Sequence, residues 1–308
     1  MALKDRVSLG MSLPHRSPDG IPEKVVRHVA QRAEALGFAD LWVTNNSVDE
    51  SGCLDSLTIL TYAAALTTTI RLGVSVVVLP IYHPIHLAQE VATLDHLSGG
   101  RAILGVGLGR ADEYEVFGVP TARRVRRFTE AVELMKALWT GRNVTYEGEI
   151  FQARNVTIGA TAVQRPHPPV WVGSHHPAAI ARAARISDGW MGAGGSSIAS
   201  FGEAVPLLHD ALAKEGRDPA AFPISKRVFL SVHENAETAR AEVHRWFSEV
   251  YHNPAGTEQG GVYGTPEQVR EKLEALAAMG ATHLLLNPVA RYDEQVEALA
   301  EIAGLAGA

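Results

Sequence analysis

The 308-residue chain carries 28 Lys+Arg against 34 Asp+Glu, a formal net charge of -6, and its basic residues are scattered, so it offers no field for nucleic acid. No run of eighteen apolar residues and no basic-then-apolar leader point to a membrane or to export, so a soluble, cytoplasmic protein with no membrane partner is expected. The single cysteine, Cys53, excludes an internal disulfide and a thiolate zinc cluster, and the length suits one α/β barrel, a single domain over 1–308.

Residues 6–11 alternate and end in Ser12, which predicts a first short strand. After Pro22, Val25, Val26, Val29, Ala33 and Leu36 form one apolar helical face that Gly37 stops. Residues 40–44 read as a second strand and 55–67 as a second helix. Residues 71–79 are nearly continuous apolar with β-branched side chains, as in a strand buried on both faces, and Pro80 ends it. Ile85, Ala88, Val91, Ala92 and Leu94 recur at helical spacing up to Ser98-Gly99-Gly100, and a fourth strand follows at 102–108. Strand, crossover helix and strand within forty residues form a βαβ unit with parallel strands.

The connection from 110 to 168 is too long for a plain loop, so an insertion with structure of its own is expected after strand four. Val125, Phe128, Val132, Met135 and Trp139 mark a helix in it, and VTYEGEIF a hairpin turning at Glu147-Gly148. Strands then fall at 170–173, 189–192, 224–232 and 283–286, alternating with helices that start at Pro177 and near Phe201, Ala239, Thr265 and Val296. Residues 251–264 hold four glycines and no periodicity, which predicts a mobile lid after strand seven. Eight strands, each followed by a helix, give an α/β fold of the (β/α)8 TIM barrel type.

Barrel active sites lie at the carboxyl ends of the strands, which nominates Ser12, Asn45, Asn46, Pro80, Gly107, Gly109, Gly173, Ser174, Met191, His233 and Asn287. Loop Asn and Ser are also ordinary turn formers. GVGLGR misses the dinucleotide spacing G-x-G-x-x-G because position 110 is arginine, so a Rossmann fold is disfavoured. Glycines at a strand end let a flat ring lie against bare backbone, and equally serve close packing inside the barrel. Gly173-Ser174-His175-His176 precedes a helix at Pro177, where free N–H groups and the helix dipole suit an anion. The His175-His176 pair and the His83/His86 pair have no carboxylate or thiolate at ligand spacing, so no metal is expected.

The run LPIYHPIHLAQEVATLDHLSGGRAILGVGLG resembles the signature of the bacterial luciferase-like family of flavin monooxygenases and deazaflavin (coenzyme F420) oxidoreductases. The segments AEALGFADLWVT, QRPHPPVWVGS, ISDGWMG and GVYGTPEQV extend the likeness over most of the chain. The resemblance implies a TIM barrel, a non-proline cis peptide between Ser75 and Val76 bulging against the cofactor ring, and a phosphate at Gly173–His176. It tips the glycines toward cofactor binding, so the implied cofactor contacts are Asn45, Asn46, Ser75, Val76, Gly107, Leu108, Gly109, Gly173, Ser174, His175 and His176. Many members carry an acidic or histidine residue followed by a proton-handling histidine after strand two. Here that pair is Asn45-Asn46, and asparagine cannot shuttle a proton near neutral pH. The catalytic residues are therefore left open, with His233 one source of a proton, and Arg110 stands where the deazaflavin sugar-phosphate enzymes have an acid.

These motifs most resemble the deazaflavin branch, implying an F420-dependent oxidoreductase that moves a hydride between cofactor and an organic small molecule. A two-component monooxygenase using reduced FMN from a separate reductase is the alternative, and a non-catalytic flavin-binding protein a third reading. Family members commonly form homodimers, so a homodimer is expected.

Overall fold

The computed structural model describes residues 2–305. In chain order the elements are β1 (Ser8–Ser12), α1 (Glu23–Leu36), β2 (Asp40–Val43), α2 (Ser56–Leu66), β3 (Arg71–Val78), α3 (Pro84–Ser98) and β4 (Ala102–Gly107). Then come α4 (Ala111–Val116), α5 (Arg124–Thr140), β5 (Val144–Glu147), β6 (Gln152–Val156), β7 (Val170–Gly173), α6 (Pro177–Ile186) and β8 (Gly189–Gly192). The chain continues through α7 (Ile198–Lys214), β9 (Ile224–Val232), α8 (Ala236–Glu249), α9 (Gly256–Gly260), β10 (Val262–Gly264), α10 (Pro266–Ala278), β11 (His283–Pro288) and α11 (Tyr292–Ala303).

Strands β1, β2, β3, β4, β7, β8, β9 and β11 pair in that order, all parallel, and β11 pairs back to β1, so the sheet closes into an eight-stranded TIM barrel. Helix ends follow the sequence punctuation: Gly37 closes α1 at φ 89°, and Thr265 with Gln268 forms a capping box on α10. Several helices begin about three residues before their first core position, at the caps Ser197 and Asn235, because apolar spacing marks the buried face and not the polar first turn.

The insertion after β4 is smaller than its length suggests. Helix α5 takes the ordinary crossover position, packing on α3 and α6. The true additions are α4 and the β5–β6 hairpin, which turns just after Glu147 with the Gly148 N–H donating to the Phe151 carbonyl. Buried Glu130 of α5 accepts the N–H groups of Glu149, Ile150 and Phe151, fixing the hairpin to the barrel. The stretch 251–264 carries α9 and β10, and β10 pairs in parallel with residues 230–232 of β9. Its glycines serve close packing: a Cβ at Gly256 would lie 2.4 Å from the Phe247 ring, and one at Gly261 2.7 Å from Val243. Residues 251–255 and the single Gly261 between α9 and β10 lack a helix or strand.

The barrel interior is filled below the site by Trp42, Ile103, Trp171, Met191 and Leu285, with the two indole rings 5.3 Å apart. Gly73 makes the room, since its Cβ would meet the Trp42 ring at 2.4 Å. Beneath them Asp40 is fully buried and accepts from His283 Nε2 at 2.8 Å, from Arg71 at 2.7 Å and from the Trp42 indole. Burial pushes the Asp40 carboxyl up, but the charge and hydrogen bond of His283, then Arg71 and Trp42, outweigh it and hold it below the ordinary carboxylate range.

Candidate active site

At the carboxyl ends of the strands a cleft of about 1260 Å³ opens between β3, β4, β7, β8 and β9 and the loops above them. Its floor is bare. The Ser75-Val76 peptide is cis, and β3 shifts register against β4 between Val74 and Val77. The shift drives Val76 between two glycines: a Cβ at Gly107 would lie 2.7 Å from Val76 Cγ2, and one at Gly173 2.9 Å from Val76 Cγ1. A Cβ at Gly105 would lie 2.1 Å from the Val74 carbonyl oxygen. The bulge and the glycines therefore require one another, and together they leave a flat patch of backbone with one methyl-bearing side chain at its centre.

Of the eleven residues that the family resemblance nominates, ten line this cleft: Asn46, Ser75, Val76, Gly107, Leu108, Gly109, Gly173, Ser174, His175 and His176. Asn45 does not. It is buried, donating to the Tyr82 hydroxyl at 2.9 Å, and so braces the end of β2 against the 79–82 turn. His233 is also outside the cleft lining, accepting the N–H of Asn235 at the start of α8. Asn287 is buried with its amide on the Pro288 carbonyl.

The β7–α6 turn has fewer free donors than its sequence suggests. The Ser174 N–H goes to the Met191 carbonyl, Pro177 has none, and the Ala178 N–H points at His176 Nδ1. The N–H groups of His175 and His176 have no partner among the described residues. Ser174 Oγ accepts from the Trp190 indole at 2.9 Å, leaving its own proton free to donate. Three unpartnered donors thus lie on consecutive residues before a ten-residue helix, a donor set that suits an oxyanion.

Strand β9 adds charges that sequence reasoning missed. Lys226 and Arg227 are adjacent, so they face opposite sides of the sheet, and both are buried. Arg227 points into the barrel and donates to the Ser75 carbonyl at 2.8 Å and to the Tyr251 hydroxyl at 2.7 Å, with its guanidinium 4.7 Å from the Phe229 ring centre. No carboxylate lies within 4 Å of it among the described residues. Lys226 points outward and donates to the carbonyls of Ala193 and Ser196 at 2.7 and 2.9 Å, clamping the loop that forms the β8 wall of the cleft. Burial first, then the Arg227 charge, lowers its ammonium to about 7. The signal was the Lys-Arg pair inside the apolar run ISKRVFLSV.

Two acid–base groups were missed as well. His15, in the loop after β1, donates from Nδ1 to the Leu13 carbonyl, and its Nε2 accepts the Thr44 N–H at 2.9 Å. Burial lowers it to about 4, so it is neutral, and Asn46 reaches it only through the Thr44 hydroxyl. Glu113 of α4 lines the cleft with Oε2 buried, unpartnered and packed on Gly109. Burial raises its carboxyl against the opposing pull of Arg110. Among the described residues no group of three or more His, Cys, Asp or Glu could hold a metal, and no helix is long and apolar enough to cross a membrane.

The sequence profile of luciferase-like monooxygenases matches residues 8–261. The chain belongs to the luciferase-like family. It is 32% identical over 228 residues to an F420-dependent glucose-6-phosphate dehydrogenase of Kineococcus radiotolerans, covering 70% of this chain and 66% of that one. It is 30% identical over 217 residues to a 5,10-methylenetetrahydromethanopterin reductase of Archaeoglobus fulgidus, covering 70% and 62%. The monooxygenase RslO1 of Streptomyces bottropensis superposes with a TM-score of 0.83 at 25% identity, covering 97% of this chain and 98% of that one. The alignments span less than two thirds of the length of these curated relatives.

Proposed function

We propose that the protein is an F420-dependent oxidoreductase acting on an organic small molecule. The observation that carries this reading is the bare floor built by Val76, Gly107 and Gly173, which fits a flat tricyclic ring and would be filled by any Cβ. The family likeness to F420-dependent relatives favours the deazaflavin over FMN. F420 supplies a two-electron hydride when bound. Ser174 and the His175 and His176 N–H groups would hold the phosphate, and Arg227 fixes the bulge of the cleft floor through the Ser75 carbonyl. With Asn46 unable to titrate, Glu113 is the cleft carboxyl whose raised pKa suits a proton donor. Residues 251–255, with Tyr251 tied to Arg227, are the segment left to act as a lid.

Side-by-side titration with F420 and FMN tests the cofactor, followed by anaerobic mixing of the reduced deazaflavin complex with conjugated and carbonyl acceptors. Oxidation of the cofactor without oxygen is expected. Turnover that needs reduced FMN and oxygen, with an oxygen atom in the product, establishes the two-component monooxygenase instead, a reading favoured by the likeness to RslO1. Replacing Ser174 by aspartate should weaken cofactor binding by like-charge repulsion while leaving the fold intact, and an unchanged dissociation constant would count against the phosphate site.

A further inference from the structure

A second cavity of about 500 Å³ lies on the outer surface between α5 and α6. It shares Val125, Ala178 and Arg182 with the main cleft, so the two adjoin at the start of α6, where Ser174 and His176 line the cleft. From there it runs along one face of α6, because Ala178, Ala181, Arg182 and Arg185 follow the i, i+3, i+4, i+7 spacing. The opposite wall is α5, with Arg126 and Thr129.

The trough is cationic and only partly compensated. Among the described residues Arg182 and Arg185 have no carboxylate within 4 Å, and Arg182 Nε is buried without a partner. Burial and then the neighbouring Arg185 lower the Arg182 guanidinium, as expected for two like charges facing one channel. Arg126 shares Glu149 at 2.9 Å and lies 3.9 Å from Glu130. Glu215 is the carboxylate lining the trough, near its Arg185 end, where Arg217 ties the following turn to the Ala184 and Ser187 carbonyls.

We infer that this trough holds the γ-linked oligoglutamate tail that distinguishes coenzyme F420 from FMN, with Arg182 and Arg185 pairing its carboxylates. The inference rests on the F420 reading of the main cleft. FMN ends at its phosphate and would leave the trough empty, whereas F420 continues past its phosphate through a lactyl group into a chain with one carboxylate per glutamate. The path from Ala178 to Arg185 is roughly 10 Å at the helical rise, room for about two extended γ-linked residues. Glu215 lies where a longer tail would emerge, so it opposes further carboxylates.

The test is a fluorescence titration of the whole protein with three forms of the oxidised coenzyme, carrying no glutamate, two glutamates and six, and with FMN as a control. The wild type should bind the two-glutamate form on the order of tenfold more tightly than the glutamate-free form, the yield of two partly exposed ion pairs. The six-glutamate form should add little. Arg185→Glu should remove most of the preference and leave the glutamate-free form and FMN unaffected, while Glu215→Gln should extend it to the longest tail. Raising salt to about 1 M, where screening acts within about 3 Å, should flatten the series. Equal affinity for all three forms, or a preference that survives Arg185→Glu, overturns the trough and leaves the cofactor reading standing. Failure of every F420 form to bind overturns both.

Discussion

The contact between Val76 and the two glycines can be tested by adding and then removing one methyl-sized volume. In Gly107→Ala the new Cβ lies 2.7 Å from Val76 Cγ2, about 1 Å inside ordinary contact. Val76 cannot turn away, because it is β-branched and its other methyl already sits where a Gly173 Cβ would be, at 2.9 Å. Gly107 is not in a left-handed conformation, so the backbone accepts alanine and the loss of unfolded-state freedom returns about 0.4–1 kcal/mol. Overpacking of this kind costs about 1–3 kcal/mol, leaving Gly107→Ala roughly 1–2 kcal/mol destabilised. Val76→Ala, at a half-buried site, should cost about 1 kcal/mol. The double variant removes the clash, so it should be no less stable than Val76→Ala alone, a coupling of about 1–2 kcal/mol. Urea denaturation of the four proteins measures it. Single costs that add within about 0.5 kcal/mol would refute the interlock of bulge and glycine. The same four proteins should show weaker cofactor binding whenever alanine stands at 107, since its Cβ occupies the floor.

Asp40→Asn should destabilise the barrel by about 3–5 kcal/mol by stranding His283 and Arg71 around a neutral group, read from denaturation midpoints. Because the folded Asp40 carboxyl is held below its ordinary 3.8, its stabilisation is full above that pH and is lost as pH falls through the lower folded value; the variant should lack this acid-side loss. Lys226 titrates near 7 when folded and near 10.5 when unfolded, so the unfolded chain binds more protons between these values and stability should rise with pH across that window. Lys226→Met should abolish that rise, and a slope persisting in the variant would assign it elsewhere. Glu113→Gln should lower turnover on the order of 10²-fold and remove a descending limb on the alkaline side of the wild-type pH–rate profile, an unchanged profile excluding Glu113 as the acid.

The barrel was legible because each strand is a short apolar run and each helix carries a buried stripe closed by glycine, as at Val29–Ala33–Gly37. What escaped the sequence was whatever lacks a period. Helix α4 is six residues long and α9 five, too short for a stripe, and the glycines of 251–264 looked like flexibility where they permit contact with Phe247 and Val243. In the site, the backbone positions were legible because glycine announces them, and the polar ones were not. Asn45 and Asn46 are neighbours in sequence, yet one braces a turn and the other faces the cleft, since successive residues leaving a strand diverge. Arg227 and Glu113 reach the cleft from a strand interior and from a helix one turn past its loop, places where a charge is ordinarily solvated.

The adjacent Lys226 and Arg227 also settle how β9 can sit between its neighbours. A slip by one residue would swing the guanidinium into the layer behind the sheet, where the carbonyls of Ala193 and Ser196 are spaced for an ammonium. The shorter lysine would then face the Ser75 carbonyl and the Tyr251 hydroxyl that the fork of Arg227 now spans. Each wrong placement strands charge or carbonyls in a dry interior, so the pair acts as an alignment key: the strand bearing the charges of the cleft admits one register during assembly, whatever the apolar residues around it would tolerate.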